Sequence, residues 1–187
     1  MKQLVIFASG NGSNAENIIG HFHDSGKARV AAVFCNRPGA GVVERARRHG
    51  VDVEIISRET LQSGHVLSEL QKINPDLIVL SGFLMMMPAD IVQHFSNRIV
   101  NIHPALLPKF GGKGMYGDNV HRAVLESGES ETGITIHYVD EHYDNGDVIF
   151  QARADVGADA TIDSIARSVQ NLEHEHFPKV IEKLLFQ

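Results

Sequence analysis

Leu4-Val5-Ile6-Phe7-Ala8-Ser9-Gly10-Asn11-Gly12-Ser13-Asn14-Ala15 decides the fold. Five consecutive apolar residues suit a strand buried on both faces. A loop of serine, glycine and asparagine follows, and Ala15 opens an amphipathic stretch that reaches about His23. Buried strand, glycine-rich turn and helix, in that order, begin a βαβ unit on a parallel sheet.

The same rhythm continues down the chain. Val30 to Cys35 reads as a second strand and Gly41 to His49 as a helix stopped by Gly50. Val53 to Ile56 is a third strand. Val66, Leu67, Leu70 and Ile73 recur at helical spacing, so Leu61 to Ile73 reads as one helix, closed by Pro75. The continuous Leu77 to Leu80 run is a central strand, Ala89 to Phe95 a helix and Ile99 to Ile102 another strand. The pattern then changes. A Pro/Gly-rich loop covers His103 to Gly117, and a helix follows near Val120 to Glu126. Gly133 to Val139 and Val148 to Ala154 read as an antiparallel pair joined by the polar turn Asp140 to Asp147. Thr161 to Leu185 is a C-terminal helix with an expected bend near Pro178. The fold expected is α/β and Rossmann-like: a mostly parallel twisted sheet, helices on both faces, and an antiparallel C-terminal extension. One domain is expected over residues 1–187.

Composition narrows the function classes. The 187 residues are 43% hydrophobic and 21% charged, enough for a core without staples. Cys35 is the single cysteine, so no internal disulfide can form. Lys plus Arg number 17 against 23 Asp plus Glu, a formal charge of −6, which argues against a general nucleic-acid binder. No apolar run approaches the ~20 residues of a membrane span, and the N-terminal apolar run is too short for a signal peptide. A cytoplasmic protein with no membrane partner is expected. Whether it is a monomer or a homodimer is left open.

Two stretches carry chemistry. Ser9 to Ala15 can bring backbone N–H groups and a helix N-terminus against a phosphate, with Gly12, Ser13 and Asn14 as the candidate contacts. A plain βα turn capped by Ser13 or Asn14 is the alternative. Gly10, Gly12 and Ala15 also satisfy the dinucleotide pattern G-x-G-x-x-A. The second strand, however, ends in Asn36-Arg37 rather than an acidic residue, so an NADP-binding reductase stays open as a rival. The second stretch is Asn101-Ile102-His103-Pro104, at the carboxyl end of a strand, where open α/β sheets bind ligands. Asn101 and His103 are two apart and face one side, an amide and an imidazole aimed into one site. The acidic turn Asp140 to Asp147 offers a carboxylate that would raise the pKa of His103 and set its tautomer. The 11 histidines include no pair at metal-ligand spacing, and no metal is expected.

Together these pieces resemble the phosphoribosylglycinamide formyltransferase branch of the formyltransferase family. The resemblance rests on Ser9 to Asn14, Glu44-Arg45-Ala46-Arg47, Ser81-Gly82-Phe83 and Asn101 to Pro108. It also rests on Gly133 to His137, Asp144-Asn145-Gly146 and Gln170 to His174, and covers essentially the whole chain. It implies formyl transfer from 10-formyltetrahydrofolate to the amine of glycinamide ribonucleotide. Residues 1–100 would form the phosphate-binding half and 101–187 the catalytic and folate-binding half. Asn101, His103 and Asp144 would be catalytic, with His103 protonated when it meets the oxyanion. Glu173 would lie at the glycinamide end of the substrate. Folate would meet Arg58, Leu84, Met85, Met86, Met87, Asn101 and Asp140. Core filling is the alternative reading of the three methionines. Gly111 to Gly117 suggests a flap whose neighbours Lys109 or Lys113 could meet anionic substrates, and His121 either touches substrate or caps structure. The sister enzymes that act on tRNA or hydrolyse the folate carry an additional domain. The sugar-nucleotide enzymes usually lack this phosphate loop, which makes them the nearest alternative.

Overall fold

A computed structural model describes residues 1–187. The elements run β1 (Lys2–Ala8), α1 (Ser13–Ser25), β2 (Ala28–Cys35), α2 (Gly41–Arg48), β3 (Asp52–Ile55), α3 (Arg58–Gln62) and α4 (His65–Ile73). They continue with β4 (Leu77–Leu80), α5 (Ala89–His94), β5 (Ile99–His103), α6 (Asp118–Glu126), β6 (Glu131–Tyr138), β7 (Val148–Asp155) and α7 (Ile162–Phe186). All seven strands form one sheet in the order β3-β2-β1-β4-β5-β6-β7. The first five are parallel, and β6 and β7 add on antiparallel, as the sequence pattern predicts.

Side-chain alternation divides the core into two layers. Leu4, Ile6 and Ala8 of β1 join Val100 and Ile102 of β5 on one face, under α1, α2, α6 and α7. Val5 and Phe7 join Ile78, Leu80 and Ile99 on the other, under α3, α4 and α5. By the same alternation Asn101 and His103 follow Ile99 toward the second layer, at the sheet's carboxyl edge.

One expectation is corrected. The predicted Leu61 to Ile73 helix is two helices. Ser57 and Thr60 form a capping box that starts α3 early, and Gly64, at φ 81°, breaks the run before α4. Arg58 therefore sits in the first turn of a short helix. The C-terminal helix is continuous across Pro178, which is buried within it. No helix is long and apolar enough to cross a membrane.

Candidate functional site

The anion loop is held by its neighbours in space. Gly12 has φ 82° and serves as the N-cap of α1. A Cβ there would lie 2.5 Å from Val42 Cα and Cβ of α2. The Val42 N–H donates to the Gly10 carbonyl at 3.2 Å, which closes the loop against α2. Glycine at 12 is thus required by backbone conformation and by packing, whatever the loop binds. The first N–H groups of α1 have no acceptor inside the helix and point out of its end. Glu16, one turn in, would repel an anion, but Arg45 and Arg48 of α2 both bind its carboxylate. Burial pushes the Glu16 pKa up, yet these arginines outweigh it and hold it below the usual range. Helix α7 closes the loop from above. Gln170 donates to Ser13 Oγ at 3.2 Å, and Asn14 Nδ2 donates to Glu173 Oε2 at 2.8 Å. Asn14 Oδ1 is buried with no partner. Burial raises the Glu173 pKa, opposed only by the Asn14 bond.

The second group is assembled from distant segments. The β5–β6 register sets Asn101 opposite His137 and His103 opposite Thr135. Thr135 Oγ1 donates to the Ala105 carbonyl at 2.7 Å and accepts the Leu107 N–H at 2.9 Å, fixing the chain as it leaves His103. Asp144 reaches the pair from the turn after β6, at φ 52°. Its Oδ2 lies 3.5 Å from His103 Nδ1, and its Oδ1 lies 3.5 Å from Asn101 Nδ2. Asn101, His103 and Asp144, paired from the sequence, do come together.

His103 is 3% exposed. Burial lowers its pKa, and the opposing Asp144 charge and Phe110 carbonyl do not restore it. The expectation of a raised pKa is therefore corrected: desolvation of the imidazolium outweighs the carboxylate. Burial pushes Asp144 up, but the neighbouring His137, 3.7 Å away, the charge His103 carries when protonated and the Gly112 N–H together hold it below its usual value.

His137 is a site residue that the sequence reading quoted only as part of a motif. It is 2% exposed. Its Nδ1 donates to the Tyr138 carbonyl at 2.8 Å, which leaves Nε2 as an acceptor for Asn101 Nδ2 at 3.1 Å. That bond fixes which way the Asn101 amide points. Apolar and polar residues alternate in Gly133 to His137, a signal for facing direction, but only the register shows which strand His137 faces.

A cavity of about 770 Å³ joins the two groups. Four cations line it, Arg37, Arg58, Lys113 and Arg167, and none of them makes an ion pair or side-chain hydrogen bond. Two carboxylates, Asp144 and Glu173, line it as well, so a chain of net −6 carries a cationic cavity. His121 also lines it, with Nδ1 buried and unpartnered and its pKa lowered by burial. Of the two flap lysines, Lys113 lines the cavity, while Lys109 pairs with Glu129 at 2.7 Å.

The expected folate contacts separate. Arg58, Leu84 and Asn101 line the cavity. Met85, Met86 and Met87 do not. Met87 is 4% exposed in the second core layer, Met85 packs against that layer, and Met86 is 46% exposed. Met87 and Met85 therefore fill and border the core beside Ile91 and Val92 of α5. Asp140 does not line the cavity either. It accepts the His142 N–H and the Asn145 side-chain amide, each at 2.8 Å, and so shapes the turn that presents Asp144. No group of three or more His, Cys, Asp or Glu side chains is placed to hold a metal ion.

Comparison with known proteins gives one consistent answer. Residues 2–181 match the family described as formyl transferase. The chain is 39% identical over 187 residues to the chloroplastic phosphoribosylglycinamide formyltransferase of Arabidopsis thaliana, covering 96% of this chain and 64% of that one. It thus spans less than two thirds of the plant protein's length. It is 36% identical to the phosphoribosylglycinamide formyltransferase of Escherichia coli (strain K12), covering 95% of this chain and 84% of that one. The solved structure of glycinamide ribonucleotide transformylase 1 from Geobacillus kaustophilus superposes with a TM-score of 0.89 at 37% identity, over 99% of each chain.

Proposed function

The chain belongs to the formyl transferase family, and we propose that it transfers the formyl group of 10-formyltetrahydrofolate to the amine of glycinamide ribonucleotide, a step of purine biosynthesis. The products are formylglycinamide ribonucleotide and tetrahydrofolate. One observation carries this reading: a helix-capping anion loop and a buried Asn–His–Asp cluster open into the same cation-lined cavity. A phosphate-bearing nucleophile bound at the first group presents its far end to the second.

In this reading the ribonucleotide phosphate rests on the N–H groups of Gly12, Ser13 and Asn14, favoured by the α1 dipole. Glu173 receives the glycinamide end. The folate lies along Leu84 with its acidic tail toward Arg58. The amine attacks in its unprotonated form, and a neutral His103 is the base that takes one of its protons as the C–N bond forms. Attack forms the new C–N bond and pushes the carbonyl electron pair onto the formyl oxygen, which becomes an oxyanion. The Asn101 amide, oriented by His137, and the newly charged His103 stabilise that oxyanion. Collapse breaks the bond to the folate N10, and the proton held by His103 goes to that nitrogen. Asp144 steadies the charged imidazole in between. The whole chain acts as one domain, with residues 1–100 supplying the phosphate loop and 101–187 most of the catalytic groups. The named relatives are phosphoribosylglycinamide formyltransferases, which favours this reading over the NADP-reductase and sugar-nucleotide alternatives.

The test is a formyl-transfer assay read by mass. Formylated ribonucleotide that disappears when either substrate is omitted is the expected result. A folded protein that makes none, or that prefers a sugar-nucleotide amine, would overturn the assignment.

A further inference from the structure

The flap root holds His103 and Asp144 through groups that the scheme above leaves without a part. His103 Nε2 donates to the Phe110 carbonyl at 2.7 Å. A carbonyl can only accept, so Nε2 carries hydrogen whether the ring is neutral or charged. Nδ1 is then the one ring nitrogen free to gain or lose a proton, and it faces Asp144 Oδ2 at 3.5 Å. Two residues further on, the Gly112 N–H donates to that same Oδ2 at 2.9 Å. One short segment therefore touches both members of the pair.

The segment is shaped for these contacts. Phe110 is left-handed at φ 57°, and Gly112 has φ 98°. A non-glycine residue keeps such a conformation only where its surroundings over-determine it. Here the Phe110 side chain packs on the first core layer. A Cβ on Gly111 would come 2.5 Å from Leu107 Cδ2 and 3.3 Å from Asp144 Cβ, so a side chain there would press on the Leu107 side chain and on Asp144.

We propose that Phe110 to Gly112 is a positioning segment that fixes His103 as the Nε2–H tautomer and holds Asp144 in place, so that the transferred proton travels through Nδ1 alone. This rests on the formyl-transfer reading for its chemistry. The attacking amine forms its bond to the formyl carbon and gives one proton to Nδ1. The bond to N10 breaks, N10 keeps the electron pair, and Nδ1 returns the proton to it. His103 ends neutral, and no further reactant is needed. The titratable groups facing His103 are Asp144 and His137. Around the rest of the cavity are Arg37, Arg58, Lys113, His121, Arg167 and Glu173.

The first test is nitrogen NMR of the protein labelled in its histidines, with His103 assigned by its loss in His103→Gln. Wild type is expected to show a protonated Nε2 and an unprotonated Nδ1 above the ring's titration. An Nδ1–H tautomer would overturn the proposal. In Gly111→Ala, which displaces the segment, the tautomers are expected to mix and kcat to fall about tenfold with little change in KM. The acidic limb of its pH profile should move to lower pH, because the Phe110 carbonyl raises the His103 pKa. Lys109→Ala, which loses only the Glu129 pair, should match wild type throughout. If Gly111→Ala changes neither tautomer nor limb, the segment is not a positioning device. The tautomer is read without substrate, so a failed formyl-transfer assay would not be confused with a failed proposal.

Discussion

The candidate anion loop is contiguous, six residues from Ser9 to Asn14 running from the end of β1 into the first turn of α1, whereas the His103 cluster draws on β5, β6, the turn after β6 and the flap root. The loop offers mostly backbone N–H groups at fixed positions. The cluster offers side chains whose protonation depends on burial and on one another. Binding an anion of constant charge needs fixed dipoles, which local geometry can supply. Moving a proton needs an imidazole and a carboxylate in shared low dielectric, which only packed distant segments can supply. Variants in the loop should therefore act on the ribonucleotide KM, and variants in the cluster on kcat and its pH dependence.

The largest effect expected is for His103→Ala, with turnover down ~100-fold or more and KM nearly unchanged. A comparable loss confined to KM would break the division between the two regions. Next comes Asp144→Asn. In the proposed scheme His103 acts as a base, so activity is expected to fall as pH drops through its pKa, which burial places below the ordinary histidine value. Removing the Asp144 charge takes away an influence that raises this pKa. The acidic limb should move to lower pH as kcat falls, and a shift to higher pH would contradict the electrostatics described.

Ser13→Asp sharpens the comparison from the other side. A carboxylate at the helix N-terminus should raise the ribonucleotide KM by about tenfold or more through charge repulsion, leaving the folate KM and the pH limb alone. This is a cleaner probe than any change at Gly12, where a side chain would collide with Val42. His137→Gln should cost about tenfold or less in kcat, the scale of one lost hydrogen bond. Steady-state kinetics would show whether it groups with the cluster, as its bond to Asn101 implies, or has no effect.

The smallest effect is on stability. Glu173 is half-buried and desolvation raises its pKa on folding. A raised carboxyl pKa means that its contribution to stability is whole below the unfolded value and is lost as pH rises through the folded one. Glu173→Gln removes that loss. It should raise Tm at about pH 7, with the gain vanishing near about pH 4, where the unfolded carboxyl is already largely protonated. An equal gain at both pH values would mean that ionisation plays no part.

Much of this was legible in residue order. Alternating apolar runs gave the parallel sheet, and Gly10 to Asn14 gave the loop, because strand burial and helix capping are set by neighbours within a few residues. Asn101 and His103 were legible as a pair for the same reason, being two apart on one strand. The break at Gly64 was missed because a helical spacing of apolar residues continues across it. Met85 to Met87 looked like ligand contacts because they follow a strand at the binding edge, but α5 and the second core layer claim Met87.

By itself the sequence determined which residues could do the chemistry and where the anion loop stands, since both follow from local spacing. Tertiary structure alone decided that Asn101 is oriented by His137, that Phe110 and Gly112 grip the His103–Asp144 pair, and that His103 is held toward its neutral form. Those outcomes depend on strand register, on backbone groups present in every residue, and on desolvation by distant segments. None of the three leaves a pattern in the order of the amino acids.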